Sequence, residues 1–162
     1  MSSGAPPLAL HPDARALEFL LGTWVGEGHG HYPTIATFGY REEARFWHVG
    51  KPFLAYSQRT WALDDGRPLH SETGYWRPKP DGVVELVIAI PTGHVEVDEG
   101  TLHGTTLVLS SRLVGATSTA KTVTGVTRQL EVDGDVLRYV VSMAAVGEPL
   151  QEHLTAELRR AP

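Results

Sequence analysis

The chain has 162 residues, 41% of them apolar and 20% charged, a composition that suits one globular domain and excludes a disordered segment. Its 14 Lys and Arg stand against 19 Asp and Glu, a net charge of -5, so the basic face of a nucleic-acid module is missing. The absence of cysteine excludes disulfides, thiolate nucleophiles, iron–sulfur clusters and Cys-type zinc sites, which leaves the eight histidines as the conspicuous polar chemistry.

Residues 1–11 are Ser, Gly, Ala and Pro with two leucines and no basic start, which predicts a flexible arm rather than a secretory signal. No run approaches the roughly 18 apolar residues of a membrane span, and a Cys-free chain of this kind is expected in the cytoplasm. Pro12 and Asp13 open the one helical segment: Ala14, Leu17, Leu20 and Leu21 recur at helical spacing, and Gly22 stops it.

Everything after Gly22 reads as strand and turn. Phe38, Tyr40, Ala44 and Phe46 alternate with polar residues, Glu42 being the exception. Phe53 to Leu63 is aromatic and apolar, and Val83 to Ile90 is a β-branched run. Turn chemistry is read at Asp64-Asp65-Gly66, Lys79-Pro80-Asp81-Gly82, Asp98-Glu99-Gly100 and Val132-Asp133-Gly134-Asp135. The expected fold is therefore all-β, an antiparallel up-and-down barrel of about ten strands with a short N-terminal helix, in one domain over residues 12–162. Val136 to Met143 is apolar on both registers, which fits a barrel with an apolar lumen and an outside covered by a helix or a second subunit.

Gly22-Thr23-Trp24-Val25-Gly26-Glu27-Gly28-His29-Gly30 is the least ordinary stretch. A Trp after the entry helix suits a plug at one end of a lipocalin-like barrel, and glycines at a period of two leave one strand face bare for close backbone approach. No strand–turn–helix unit follows, so the spacing is not a dinucleotide fingerprint. His29 and His31 share a strand face as a possible metal pair, but no third ligand is near, and a solvated face is the preferred reading. His11, His48, His94 and His103 fall near turns or strand ends and read as solvated.

Gly-x-Trp-x-Gly-x-Gly followed by Tyr32-Pro33-Thr34-Ile35 resembles the nitrobindins, haem-binding barrels related to fatty-acid-binding proteins. The likeness extends through His48-Val49-Gly50-Lys51-Pro52, Leu69 to Tyr75, Thr92 to Glu96, Ala120-Lys121 and the stretch from Met143 to His153. It implies one haem b per subunit, with His153 as the proximal iron ligand. By itself a lone His on a strand reads as solvated, and the period of two groups His153 with Gln151, Thr155 and Glu157 on a polar face. The resemblance, not the pattern, turns it inward.

The same resemblance places Thr34, Leu69, His70, Ile90, Lys121 and Met143 at the haem edge. Lys121 is then either a partner for a propionate or a surface lysine, Thr34 a hydrogen-bonding group or the end of its turn, and Met143 a core filler or a haem neighbour. Ile90 stands where relatives carry a polar residue. The implied activity is isomerisation of peroxynitrite to nitrate at the open axial position, where nitric oxide would also bind, in a homodimer with no nucleic-acid or membrane partner. The competing reading is an intracellular carrier of a fatty acid or other small apolar ligand, with Arg128 or Arg138 receiving a carboxylate head. A third is a purely structural dimer built on the apolar outer face, which a ligand-free, filled barrel would support.

Overall fold

The computed structural model describes residues 6–162. Met1 to Ala5 of the expected arm lie outside the described residues, while Leu10 packs against the core and the His11 side chain accepts from the Asp13 amide at the helix start. The helix, Pro12–Leu20, is of 3-10 type and buries Ala14, Leu17 and Leu20.

Ten strands follow: β1 (Gly22–Tyr32), β2 (Ile35–Trp47), β3 (Leu54–Ala62), β4 (Pro68–Pro78), β5 (Val83–Ile90), β6 (His94–His103), β7 (Thr106–Ala116), β8 (Val123–Asp133), β9 (Val136–Ala145) and β10 (Gln151–Arg160). Each pairs antiparallel with its neighbours in the chain, and β10 pairs with β1 to close the barrel. Full closure removes the unpaired edges that an open sheet would expose. The expected all-β, ten-stranded barrel is what forms.

The two ends differ. At one, the helix lies over Trp24, which is fully buried, donates from Nε1 to the Leu20 carbonyl at 2.8 Å and carries the Arg160 guanidinium over its ring at 4.1 Å. Leu17, Leu54, Trp76, Leu86, Leu107, Leu137 and Leu158 fill that end completely. The opposite end, ringed by the turns after β1, β3, β5, β7 and β9, opens into the lumen.

The bare glycine face of β1 permits this closure. A Cβ on Gly26 would lie 2.1 Å from the Glu157 carbonyl oxygen of β10, and one on Gly28 would lie 2.6 Å from the Tyr40 ring. Rings from β2 therefore cover glycines directly opposite them, Tyr40 over Gly28 and Phe38 over Gly30. Gly100 does the same work in β6, and this corrects one expectation. Asp98-Glu99-Gly100 is not a turn but the middle of β6, where a Cβ on Gly100 would meet the Val108 carbonyl of β7 at 1.8 Å. The glycine marks close strand approach, and the real turn follows at Gly104, whose φ is 62°.

Candidate functional site

The lumen is one cavity of about 1400 Å³, running from the open mouth down to Phe46, Trp76 and Leu158 near the plug. That exceeds the roughly 300–1,000 Å³ of ordinary small-ligand sites.

His153 stands at its upper wall, and the register explains how. Between β10 and β9, Glu152 faces Ser142 while Leu154 faces Val141, so two steps on β10 match one on β9. His153 is the extra residue of a β-bulge, and both it and Leu154 line the cavity. Thr155 and Glu157 keep the outward face expected for them, Thr155 meeting His29 and Glu157 pairing with Arg138. Strict alternation fails at one position only, and that position bears the histidine.

The imidazole is held by two contacts. Its Nδ1 lies 3.0 Å from the His31 carbonyl oxygen, which requires the proton on Nδ1 and leaves Nε2 with its lone pair. Tyr32 packs edge-on at 5.3 Å, and its hydroxyl accepts from the Ala145 amide at 2.8 Å and donates to the Met143 carbonyl at 3.1 Å. Burial pushes His153 below the ordinary imidazole pKa, against the opposing pull of the His31 carbonyl. A neutral, oriented ring with a free Nε2 is the form that ligates a metal.

Thr34, Leu69, His70, Ile90, Lys121 and Met143 all line the same cavity. Thr34 and Lys121 are exposed at the rim, Leu69 is 37% exposed there, and His70, Ile90 and Met143 are half-buried. The His70 Nε2 sits 3.3 Å from Glu72 Oε2. His94, expected to be solvated, is buried instead: Nδ1 lies 2.8 Å from Thr92 Oγ1 and Nε2 lies 2.7 Å from the Lys121 carbonyl. Both nitrogens are engaged, so this histidine pins the β5–β6 turn to the segment after β7. His29 and His31 do not form a metal pair: His29 is exposed against Thr155, and no cluster of ligands that could hold a metal ion occurs among the described residues.

Sequence reasoning missed the layer beneath the mouth. Arg128 of β8 reaches across the lumen, donating to Glu72 of β4 at 3.0 Å and to Glu96 of β6 at 2.7 Å, with Asp98 at 3.3 Å from its Nε. Tyr56 also donates to Glu72, at 2.9 Å. A second bar joins β9 to β2, where Tyr139 donates to Glu42 and stands 2.7 Å from the Tyr40 hydroxyl. Burial would push Glu72 up, but Arg128 and then His70 overcome it and hold its carboxyl down at about 2. Glu42 and Asp98 are pushed up by burial to about 7 each, despite Tyr139 and Arg128 beside them. Burial disfavours the charge on Arg128, yet Glu72 and Glu96 keep its guanidinium firmly protonated. A signal existed for Arg128 and Glu42, each an ionisable residue on the otherwise apolar register of its strand, as in Val126-x-Arg128-x-Leu130-x-Val132; Glu72, Glu96 and Asp98 sit on registers already mixed with His and Gly and gave none.

This layer bears on the carrier reading. Arg128 points inward, but its guanidinium is already shared among three carboxylates; Arg138 points outward and pairs with Glu157 at 2.9 Å. Neither cation is free to receive a fatty-acid head, and the carboxylates around Arg128 would repel one. The large lumen likewise excludes the filled barrel of a purely structural dimer.

Fold and site together define a closed β-barrel that presents an oriented, neutral histidine to a large ligand cavity. Residues 13–160 match the family model described as "THAP4-like, heme-binding beta-barrel domain", and the chain belongs to that family, the nitrobindins. Among its relatives, a protein named peroxynitrite isomerase from Nocardia farcinica is 54% identical over 160 residues, covering 96% of this chain and 95% of that one. Peroxynitrite isomerase 2 of Mycobacterium avium is 52% identical over 158 residues, covering 95% and 98%. The crystal structure of Rv2717c from M. tuberculosis superposes with a TM-score of 0.89 at 50% identity, covering 95% of this chain and 100% of that one. No helix among the described residues is long and apolar enough to cross a membrane.

Proposed function

We propose that this chain is a haem b protein that isomerises peroxynitrite to nitrate and binds nitric oxide. The observation that carries the reading is the His153 ring: Nδ1 bound to the His31 carbonyl, Nε2 unengaged, in a cavity with room for a porphyrin. The family description and the printed names of the relatives support it.

The residues present fit the group. His153 would hold the iron through Nε2, and the bulge fixes its direction on a strand rather than a loop. Ile90, Met143 and Leu69 supply apolar walls, while Lys121 and Thr34 at the rim suit the propionates. When bound, the haem would supply the chemistry that rearranges peroxynitrite to nitrate. The protein's own part is to keep His153 neutral and oriented, to limit water at the mouth, and to admit a small ligand. His70, anchored by Glu72, is the polar side chain of the upper chamber placed to hydrogen-bond a ligand there.

Hemin titration tests the assignment. The wild-type chain should give a sharp Soret band with a five-coordinate ferric spectrum, and His153→Ala should lose it while its far-ultraviolet circular dichroism stays unchanged. A Soret band that the substitution leaves unaltered sinks the axial assignment.

The homodimer belongs to the same reading. Tyr75, Val87, Val97 and Leu113 lie in one row across the outer faces of β4 to β7, with Val95 in the next row. Tyr75 and Leu113 are each at least half exposed, and the row suits a two-fold contact with a second copy. Leu113→Glu should then shift the sedimenting species from dimer to monomer without loss of hemin binding. A cytoplasmic location is part of the proposal and rests on the Cys-free composition.

A further inference from the structure

Among the described residues, two other than glycine have positive φ: Asp81 at 63° and Val146 at 48°. Both occupy the same kind of turn. In Pro80–Val83 the Val83 amide donates to the Pro80 carbonyl, and the central pair is Asp81 and Gly82, the latter at 73°. In Ala145–Glu148 the Glu148 amide donates to the Ala145 carbonyl at 2.8 Å, and the central pair is Val146 and Gly147, the latter at 84°. Positive φ at both central residues is the pattern of a type I′ turn, which favours Asn-Gly or Asp-Gly. Asp81-Gly82, at the plugged end between β4 and β5, follows that chemistry. Val146-Gly147, at the open end between β9 and β10, breaks it.

A β-branched side chain is a poor choice at the first central position. Its two γ-carbons crowd the backbone in the left-handed region, at a cost that Asn or Asp largely avoids. Burial does not offset this, since Val146 is 40% exposed. The turn is instead braced from its neighbours. The Tyr32 hydroxyl accepts from the Ala145 amide at 2.8 Å, and the Val146 amide donates to the Thr122 carbonyl at 2.9 Å, one residue past Lys121. Strained backbone persists where the surroundings over-determine it, and such strain gathers at ligand sites. The Val146 side chain lines the cavity, as do Met143, Ala145 and His153.

We propose that Val146 is a retaining residue for the haem, a reading that rests on the haem assignment of the cavity. Its isopropyl group closes the β9–β10 side of the mouth against the bound porphyrin. The strained turn is kept because it offers the cavity a branched apolar group, where Asn would offer a polar one and Gly none. Folding and retention then pull in opposite directions at one residue: the strain lowers the stability of the apo-protein, and the benefit is read only in slow release of haem.

The test separates the two effects. Val146→Asn brings a residue that tolerates the left-handed region and should raise the melting temperature of the apo-protein by about 2–6 °C. Val146→Ala and Val146→Gly remove the isopropyl group. Loaded with hemin, each should pass it to excess apomyoglobin at least about fivefold faster than the wild type. The Soret band should not move, because His153 is untouched. Val146→Ile keeps a branched apolar group and should release hemin within about twofold of the wild-type rate, with the apo melting temperature unchanged. No rise with Asn would mean an unstrained turn and would overturn the proposal. So would release from the Ala and Gly variants at the wild-type rate, or release from the Ile variant as fast as from Ala. A wild type that takes up no hemin sinks the haem reading and this proposal together. That outcome is distinct, since no release rate then exists to compare.

Discussion

Replacing Arg128 by Met removes the guanidinium that Glu72, Glu96 and Asp98 share, while the longer part of the side chain is kept. The Arg128 side chain is 11% exposed and those of Glu72 and Glu96 are 6% and 3%, so solvent replaces little of the lost interaction. Breaking such a buried pair on one side costs about 3–5 kcal/mol. Glu72 gives an independent figure: a carboxyl at 4.5 in the unfolded chain and about 2 in the folded one corresponds to roughly 3 kcal/mol. For a domain of this size the melting temperature should fall by roughly 6–20 °C at pH 8. The sign with pH follows. A depressed carboxyl stabilises the wild type above about pH 4.5, and that contribution is lost as pH falls toward 2. In the variant the unpaired Glu72 is free to take up a proton, so the gap from wild type should narrow between pH 8 and pH 4. Urea unfolding of the apo-protein, followed by tryptophan fluorescence at both pH values, measures it. A gap below about 1 kcal/mol at pH 8, or one that does not change with pH, refutes the account. Glu72→Gln added to Arg128→Met should recover part of the loss, since it removes the stranded charge.

Glu42 predicts the reverse dependence. Its folded pKa of about 7 lies above the unfolded value, so the stability it allows is full below about pH 4.5 and declines as pH rises through 7. Glu42→Gln keeps an oxygen to accept from Tyr139 and should raise the melting temperature at pH 8 by several degrees while leaving pH 4 almost unchanged; a fall at pH 8 would count against a raised Glu42 pKa. Gly28→Ala drives a methyl group to within 2.4 Å of the Thr155 carbonyl and 2.6 Å of the Tyr40 ring, and the backbone cannot yield without opening the β1–β10 seam. A loss of about 1–3 kcal/mol in urea is expected, and Gly66→Ala, facing open space, serves as the control for glycine entropy and should show no clash, only the cost of its positive φ.

Much of the barrel was legible because its strands obey two rules that a sequence displays directly. Apolar residues at alternate positions show the inward face, and Gly-containing turns separate the runs, so β5 at Val83–Ile90 could be read to the residue. The Trp24 plug and the glycine face of β1 were legible for the same reason. What escaped was whatever breaks alternation through pairing partners far away in the chain. His153 turns inward because β10 slips by one residue against β9, and nothing local to residues 151–155 records that slip. Gly100 resembled a turn because an acidic pair precedes it, yet its role is set by the Val108 carbonyl on the next strand. The carboxylate layer escaped because Glu42, Glu72, Glu96 and Arg128 come from four strands, and nothing within any one strand records that they meet.

The seam between β1 and β10 has a consequence for assembly. Until β10 arrives, β1 and β9 are open edges, and the carbonyl of His31 has no imidazole to orient. The strand that carries His153 is also the one that zips the sheet shut. An unfinished chain therefore lacks the ligand and the enclosure at the same time, so no intermediate can capture an iron porphyrin with a half-built, solvent-open coordination shell. Closing the wall and arming the site are a single event.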